Sequence, residues 1–143
     1  MLGVLFSTLA GLFISLQNVF NTRISEKVGF IEATAVVHAV GLIFAIGAVI
    51  LFGRGNLRNL PEVNKVYLLA GFFGVMIIFN IMKGISLLGT AFAMAIAIVS
   101  QLTFATIIDT FGLFGMPQIK LVIAKPIGIL IMIAGIIVFN LKG

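Results

Sequence analysis

The charged side chains of this chain stand only between long apolar stretches, and that arrangement decides its solvent. Across 143 residues there are nine Lys and Arg and four Asp and Glu, and none falls within 2–22, 33–53, 66–82, 84–108 or 126–141. A bilayer's hydrocarbon core is about 30 Å thick and takes about 20 helical residues to cross, close to the length of these stretches. A soluble domain is about half apolar and a quarter charged, whereas here 62% of residues are hydrophobic and 9% charged. A chain this short keeps a large share of its residues facing outward whatever its fold. Its outside must therefore be apolar too, with the lipid bilayer as its partner.

The same punctuation predicts an all-α, integral membrane protein of five transmembrane helices in a single domain, residues 1–143. The spans read as Leu2 to Asn21, Ala33 to Phe52, Val66 to Met82, Leu87 to Ile108 and Pro126 to Leu141. Lipid-facing barrel strands would alternate apolar and polar residues, while Leu87 to Ile98 is apolar or small all round. Turn residues agree: Gly53-Arg54-Gly55-Asn56 closes the second span, Leu60-Pro61 breaks the next loop, and Gly112 to Pro117 separates the last two spans. Pro126 suits a helix start, where its missing N–H is not needed and Lys125 reaches the head groups. The short fifth span either begins there or begins near Gln118 and kinks at Pro126.

Composition also narrows the function. Without cysteine there are no disulfides, no thiolate metal site and no cysteine nucleophile. No spacing of His, Asp and Ser meets the geometry of a catalytic site, so neither an enzyme nor a cofactor is expected. The isoelectric point near 10.1 does not indicate nucleic acid, because the basic residues stand singly in every loop without interleaved aromatics. They read as anchors to anionic head groups. The start Met1-Leu2-Gly3-Val4 lacks a basic region and a small-residue cleavage site, so the first helix is expected to be retained.

Five crossings put the termini on opposite faces and allow the basic residues to be assigned. Arg54, Arg58, Lys65, Lys120 and Lys125 share the N-terminal side; Arg23, Lys27, Lys83 and Lys142 share the other. Orientation follows the difference between the two faces, and here it is one residue. The balance predicts copies inserted both ways; one orientation fixed by other factors is the alternative.

Several polar and glycine positions carry a resemblance. Gln17-Asn18-Val19-Phe20-Asn21-Thr22-Arg23, Ser100-Gln101-Leu102, Ile108-Asp109-Thr110-Phe111-Gly112-Leu113, and Lys125-Pro126-Ile127-Gly128 with Gly135 resemble the small YdcZ-type family of the drug/metabolite transporter superfamily, nearly end to end. The family pattern has a proline shortly before the glutamine and a histidine after the aspartate, where this chain has Ser15 nearby and Thr110. The resemblance implies half of a ten-helix inverted-repeat transporter, working as an antiparallel homodimer in the cell (inner) membrane. The four-helix multidrug exporters of that superfamily use a mid-membrane carboxylate, but no Asp or Glu lies at the centre of a span here. Proton-coupled export of organic cations is not supported by that comparison.

Embedded polar residues are the candidates for function, since each is costly in hydrocarbon unless it faces protein or water. In the first span Gln17 and Asn21 share a face, and Asn18 continues the row Gly3, Ser7, Gly11, Ser15. These amides either bond a neighbouring helix or line a substrate path. In the fourth span Gly89, Ala93, Ala97, Gln101, Ala105 and Asp109 recur every fourth residue; such a row packs helices, and Ser100 and Gln101 would also suit a cavity wall. Asn80, beside Lys83, is a further substrate-binding candidate, with Lys83 a snorkelling residue or an anion contact.

His38, the one histidine, is the natural proton carrier at neutral pH, or else is bonded to a backbone carbonyl. Glu32 caps the second span or couples an ion. Asp109, at the unfavourable dipole end of its helix, needs Lys120, Lys125 or water, and either anchors the following turn or couples an ion. The whole supports a small-molecule transporter, an exporter by resemblance, of unknown substrate. The competing reading is a non-transporting structural subunit.

Overall fold

The computed structural model describes residues 1 to 141; Lys142, counted above among the basic residues, and Gly143 lie outside the described residues. Five α-helices follow one another: α1 (Leu2–Val28), α2 (Phe30–Phe52), α3 (Ala70–Leu88), α4 (Thr90–Phe111) and α5 (Ala124–Asn140), with 3-10 turns at Leu57–Glu62, Lys65–Leu69 and Leu113–Gly115. No strand occurs among the described residues. Four segments are long and apolar enough to cross a membrane, the third being Lys65–Leu88, which joins a 3-10 turn to α3; α5 is the shorter fifth.

Helix ends differ from the expected ones at charged residues. α1 runs past Asn21 to Val28, because Arg23 pairs with Glu26 at 3.0 Å one turn on and Lys27 suits the negative end of the helix. Gly29 then breaks the helix with φ 99 and ψ 159, a region open to glycine, and α2 starts at the next residue. α3 passes Lys83 and ends at Leu88. The break before α4 is Gly89, at φ 79, so this residue precedes α4 instead of belonging to its row.

The loop after Gly53 contains short structure. The side-chain oxygens of Asn56 and Asn64 accept the backbone N–H groups of Arg58 and Val66 at 3.0 and 3.1 Å, which opens each 3-10 turn. Pro61 sits inside the first. α5 begins at Ala124, so Pro126 lies in its first turn as expected, and the earlier start near Gln118 does not occur. Gln118 instead donates from Nε2 to the Thr110 carbonyl at 3.0 Å, while the Ile119 N–H bonds the Asp109 carbonyl at 2.8 Å. Those two bonds fold the segment back on the end of α4.

The chain separates into two compact units, residues 1–86 and residues from 87 onward. In the first, α1 packs on α2; in the second, α4 packs on α5. What the first unit buries inverts the pattern of a soluble protein. The first unit hides Asn18, Asn21, Thr22, Ser25 and Thr34 beside Ala33, Met82 and Ile85, while large apolar side chains such as Phe6, Phe13, Ile43 and Phe52 are exposed. Hydrocarbon outside gives apolar residues no reason to turn inward, and polar ones every reason.

Candidate functional site

In the first unit the buried polar residues Asn18, Asn21, Thr22 and Ser25 are spaced three, one and three apart, which lines them along one face of α1. The hydroxyls answer themselves: Thr22 Oγ1 donates to the Asn18 carbonyl at 2.8 Å and Ser25 Oγ to the Thr22 carbonyl at 2.7 Å. On α2, Thr34 Oγ1 does the same to Phe30 at 2.7 Å. A side-chain amide is too polar to be satisfied by one such bond. Asn18 is buried and partnered, but Asn21, only 3% exposed, holds a buried Nδ2 with no hydrogen-bond partner.

Beside that strip, α1 and α2 leave a groove of about 850 Å³. Gln17 and Asn21 supply its polar groups, and Phe13, Phe20, Val37 and Gly41 are among its apolar walls. No charged residue lines it. The expected shared face of Gln17 and Asn21 is thus realised on one cavity wall. The row Gly3, Ser7, Gly11, Ser15 stays exposed, and a Cβ added at Gly3 or Gly11 would meet nothing within 4 Å.

The other first-unit candidates are held locally. His38 Nδ1 lies 2.8 Å from the Thr34 carbonyl; a carbonyl only accepts, so Nδ1 carries the proton and Nε2 is left as the base of the neutral ring. Nε2 faces Gly74 of α3, where an added Cβ would stand 3.6 Å away. Glu32 lies in the first turn of α2, and its carboxylate folds back over Gly29. Asn80 donates from Nδ2 to the Met76 carbonyl at 2.7 Å. The Lys83 ammonium stands 5.4 Å from the centre of the Phe30 ring, itself edge-on to Phe79.

In the second unit, Ser100 lines a cleft of about 470 Å³ between α4 and α5, together with Asn140. Gln101 is exposed and points to no hydrogen-bond partner among the described residues. Asp109 lies 3.9 Å from Lys125, one of its three expected partners. Asn140 was not singled out from the sequence; an amide at the end of an apolar span was its signal. Ser25 and Thr34 are also not among the sequence candidates, and Thr22 enters only within the family motif, though the spacing of Thr22 and Ser25 with Asn18 and Asn21 marks one buried face. Among the described residues no group of His, Asp and Glu could hold a metal ion.

The arrangement offers amides, hydroxyls and an uncharged groove, which suits binding of a small solute within a membrane. Residues 2–138 match the model of the family described as "Putative inner membrane exporter, YdcZ". No curated protein and no solved structure matches the chain. A family match over nearly the whole length, on a chain of apolar membrane-crossing helices, places this multi-pass inner-membrane protein in the YdcZ family of the drug/metabolite transporters.

Proposed function

We propose that the chain exports a small molecule as an antiparallel homodimer of oppositely inserted copies, each a single five-helix domain, whose ten helices surround a midplane cavity. The observation that carries this reading is Gln101. It stands halfway along α4, exposed, and without a hydrogen bond among the described residues. An amide in hydrocarbon must find a partner or water, and a second copy or the cavity it encloses supplies both. The near-even division of basic residues between the two faces, five against four, supports copies of both orientations.

The test is solute flux in vesicles reconstituted with purified protein. Wild-type protein should give saturable flux, and Gln101→Leu, which still assembles, should lose it. Saturable flux unaffected by that change would remove Gln101 from the path, and no flux for any solute class would favour the structural-subunit reading. Reporter fusions at the C-terminus should be active on both sides of the membrane.

A further inference from the structure

The geometry points to the α1–α2 groove as a binding site for an electrically neutral solute with an apolar body and a hydrogen-bonding carbonyl or amide, read by Asn21 and Gln17. This rests on the exporter reading and narrows it to a substrate class. Three features of the groove carry it. Its polar groups are two amides, and neither carboxylate nor ammonium lines it. A charged ligand would leave its hydration shell without meeting an opposite charge, which is the costly case in a low dielectric.

The second feature is the Asn21 amide, which is 3% exposed and has a buried, unpartnered Nδ2. The other buried side-chain polar groups among the described residues have partners, so this one donor is left over on the wall of the cavity it borders. A rotation of the amide would aim this donor into the groove that Asn21 lines, where an acceptor on a ligand would complete it. The third feature is size: about 850 Å³ falls within the range that holds drug-sized ligands. Phe13, Phe20 and Val37 offer the apolar body a surface, and Gln17 lies one helical turn from Asn21 on the same wall. A neutral ligand also makes its own crossing independent of the membrane potential, which acts on charge.

A matched set of fluorescent probes separates the alternatives: naphthylacetamide (neutral), naphthylacetate (anionic) and naphthylmethyl-trimethylammonium (cationic), titrated against the purified full chain in detergent. Naphthylacetamide should bind saturably and the two charged probes about tenfold more weakly or not at all. Asn21→Leu should weaken the neutral probe about tenfold by removing the donor. Gly41→Phe should abolish its binding by filling the groove; a Cβ there meets nothing within 4 Å, so this variant blocks the groove from the α2 wall without touching the Asn21 amide.

Equal or tighter binding of a charged probe, or wild-type binding in both variants, overturns the proposal. So does loss of naphthylacetamide binding when lipid replaces detergent, which would assign the groove to an acyl chain or a neighbouring helix. Vesicle flux is read separately. Flux of other solutes without naphthylacetamide binding leaves the exporter and removes this site, while binding without flux of any solute leaves the site and removes the exporter.

Discussion

The Asp109 carboxylate lies 3.9 Å from the Lys125 ammonium, tying the last turn of α4 to the first turn of α5. Each side chain is about one-third exposed, at 36% and 34%, and the separation is long for an ion pair, so water screens it. Lys125→Met should therefore cost less than about 1 kcal/mol. Exchanging the two residues should restore the loss in full, since a lysine at position 109 also suits the negative end of α4. Thermal unfolding in detergent checks both; a loss several times larger from Lys125→Met would mean that the pair is buried by a partner.

The segment those two residues bracket depends more on its glycine. Gly112 caps α4 in the left-handed conformation, with φ 62 and ψ 36, and a Cβ there would stand 3.2 Å from the Met116 carbonyl oxygen and 3.3 Å from Gln118 Cβ. Gly112→Ala should lower stability by about 1–2 kcal/mol from the backbone alone, more with the crowding. Gly128→Ala, inside α5 and with nothing within 4 Å of the added atom, should raise it by about 0.5 kcal/mol. The two denaturation midpoints should move in opposite directions.

These contrasts mark what was legible in the sequence. Charge-free stretches located all five helices, because apolar length is set by bilayer thickness and little else. They fail at the ends beside Arg23 and Lys83, because charged side chains at an interface pair, or stack on a ring, without leaving the helix. The candidate site was half legible: the four-residue spacing of Gln17 and Asn21 put both on the groove, and Asp109 found Lys125. The unmet Asn21 donor and the seat of Asn140 beside Ser100 depend on how two helices meet, which no pattern within one helix encodes.

His38 gives a prediction free of assignment problems, since it is the one histidine in the chain. Its Nδ1 donates to the Thr34 carbonyl at 2.8 Å, so the neutral ring should be the Nδ1–H tautomer. Ring-nitrogen chemical shifts of protein labelled at histidine, recorded in detergent above pH 8, should show Nδ1 protonated and Nε2 bare. The reverse pattern would break the Thr34 bond and turn a different edge of the ring toward Gly74.

Lys83 and Phe30 should couple measurably, because the ammonium of the exposed Lys83 stands over the half-buried ring at 5.4 Å. A double-mutant cycle with Phe30→Leu and Lys83→Met should return about 0.5–1 kcal/mol of interaction energy. Since Phe30 also meets Phe79 edge-on at 6.3 Å, Phe30→Leu alone should cost more than Lys83→Met. Additive single changes would leave Lys83 as a plain head-group anchor.

The proposed dual orientation makes a prediction that added charges test directly. On the proposed five-crossing topology Arg54, Arg58, Lys65, Lys120 and Lys125 would share one face and Arg23, Lys27, Lys83 and Lys142 the other, so a few added charges should decide an orientation that a difference of one residue leaves nearly balanced. Gly55 and Asn59 lie in the exposed loop after α2, and a Cβ at Gly55 meets nothing within 4 Å. Gly55→Lys with Asn59→Lys should send the N-terminal face to the cytoplasm in nearly every copy. Removing Arg54 and Arg58 as glutamines should send it outward. If function needs both orientations, each variant alone should fail in vesicle flux and the two co-expressed should regain it. Full flux from either variant alone would show that copies of one orientation suffice.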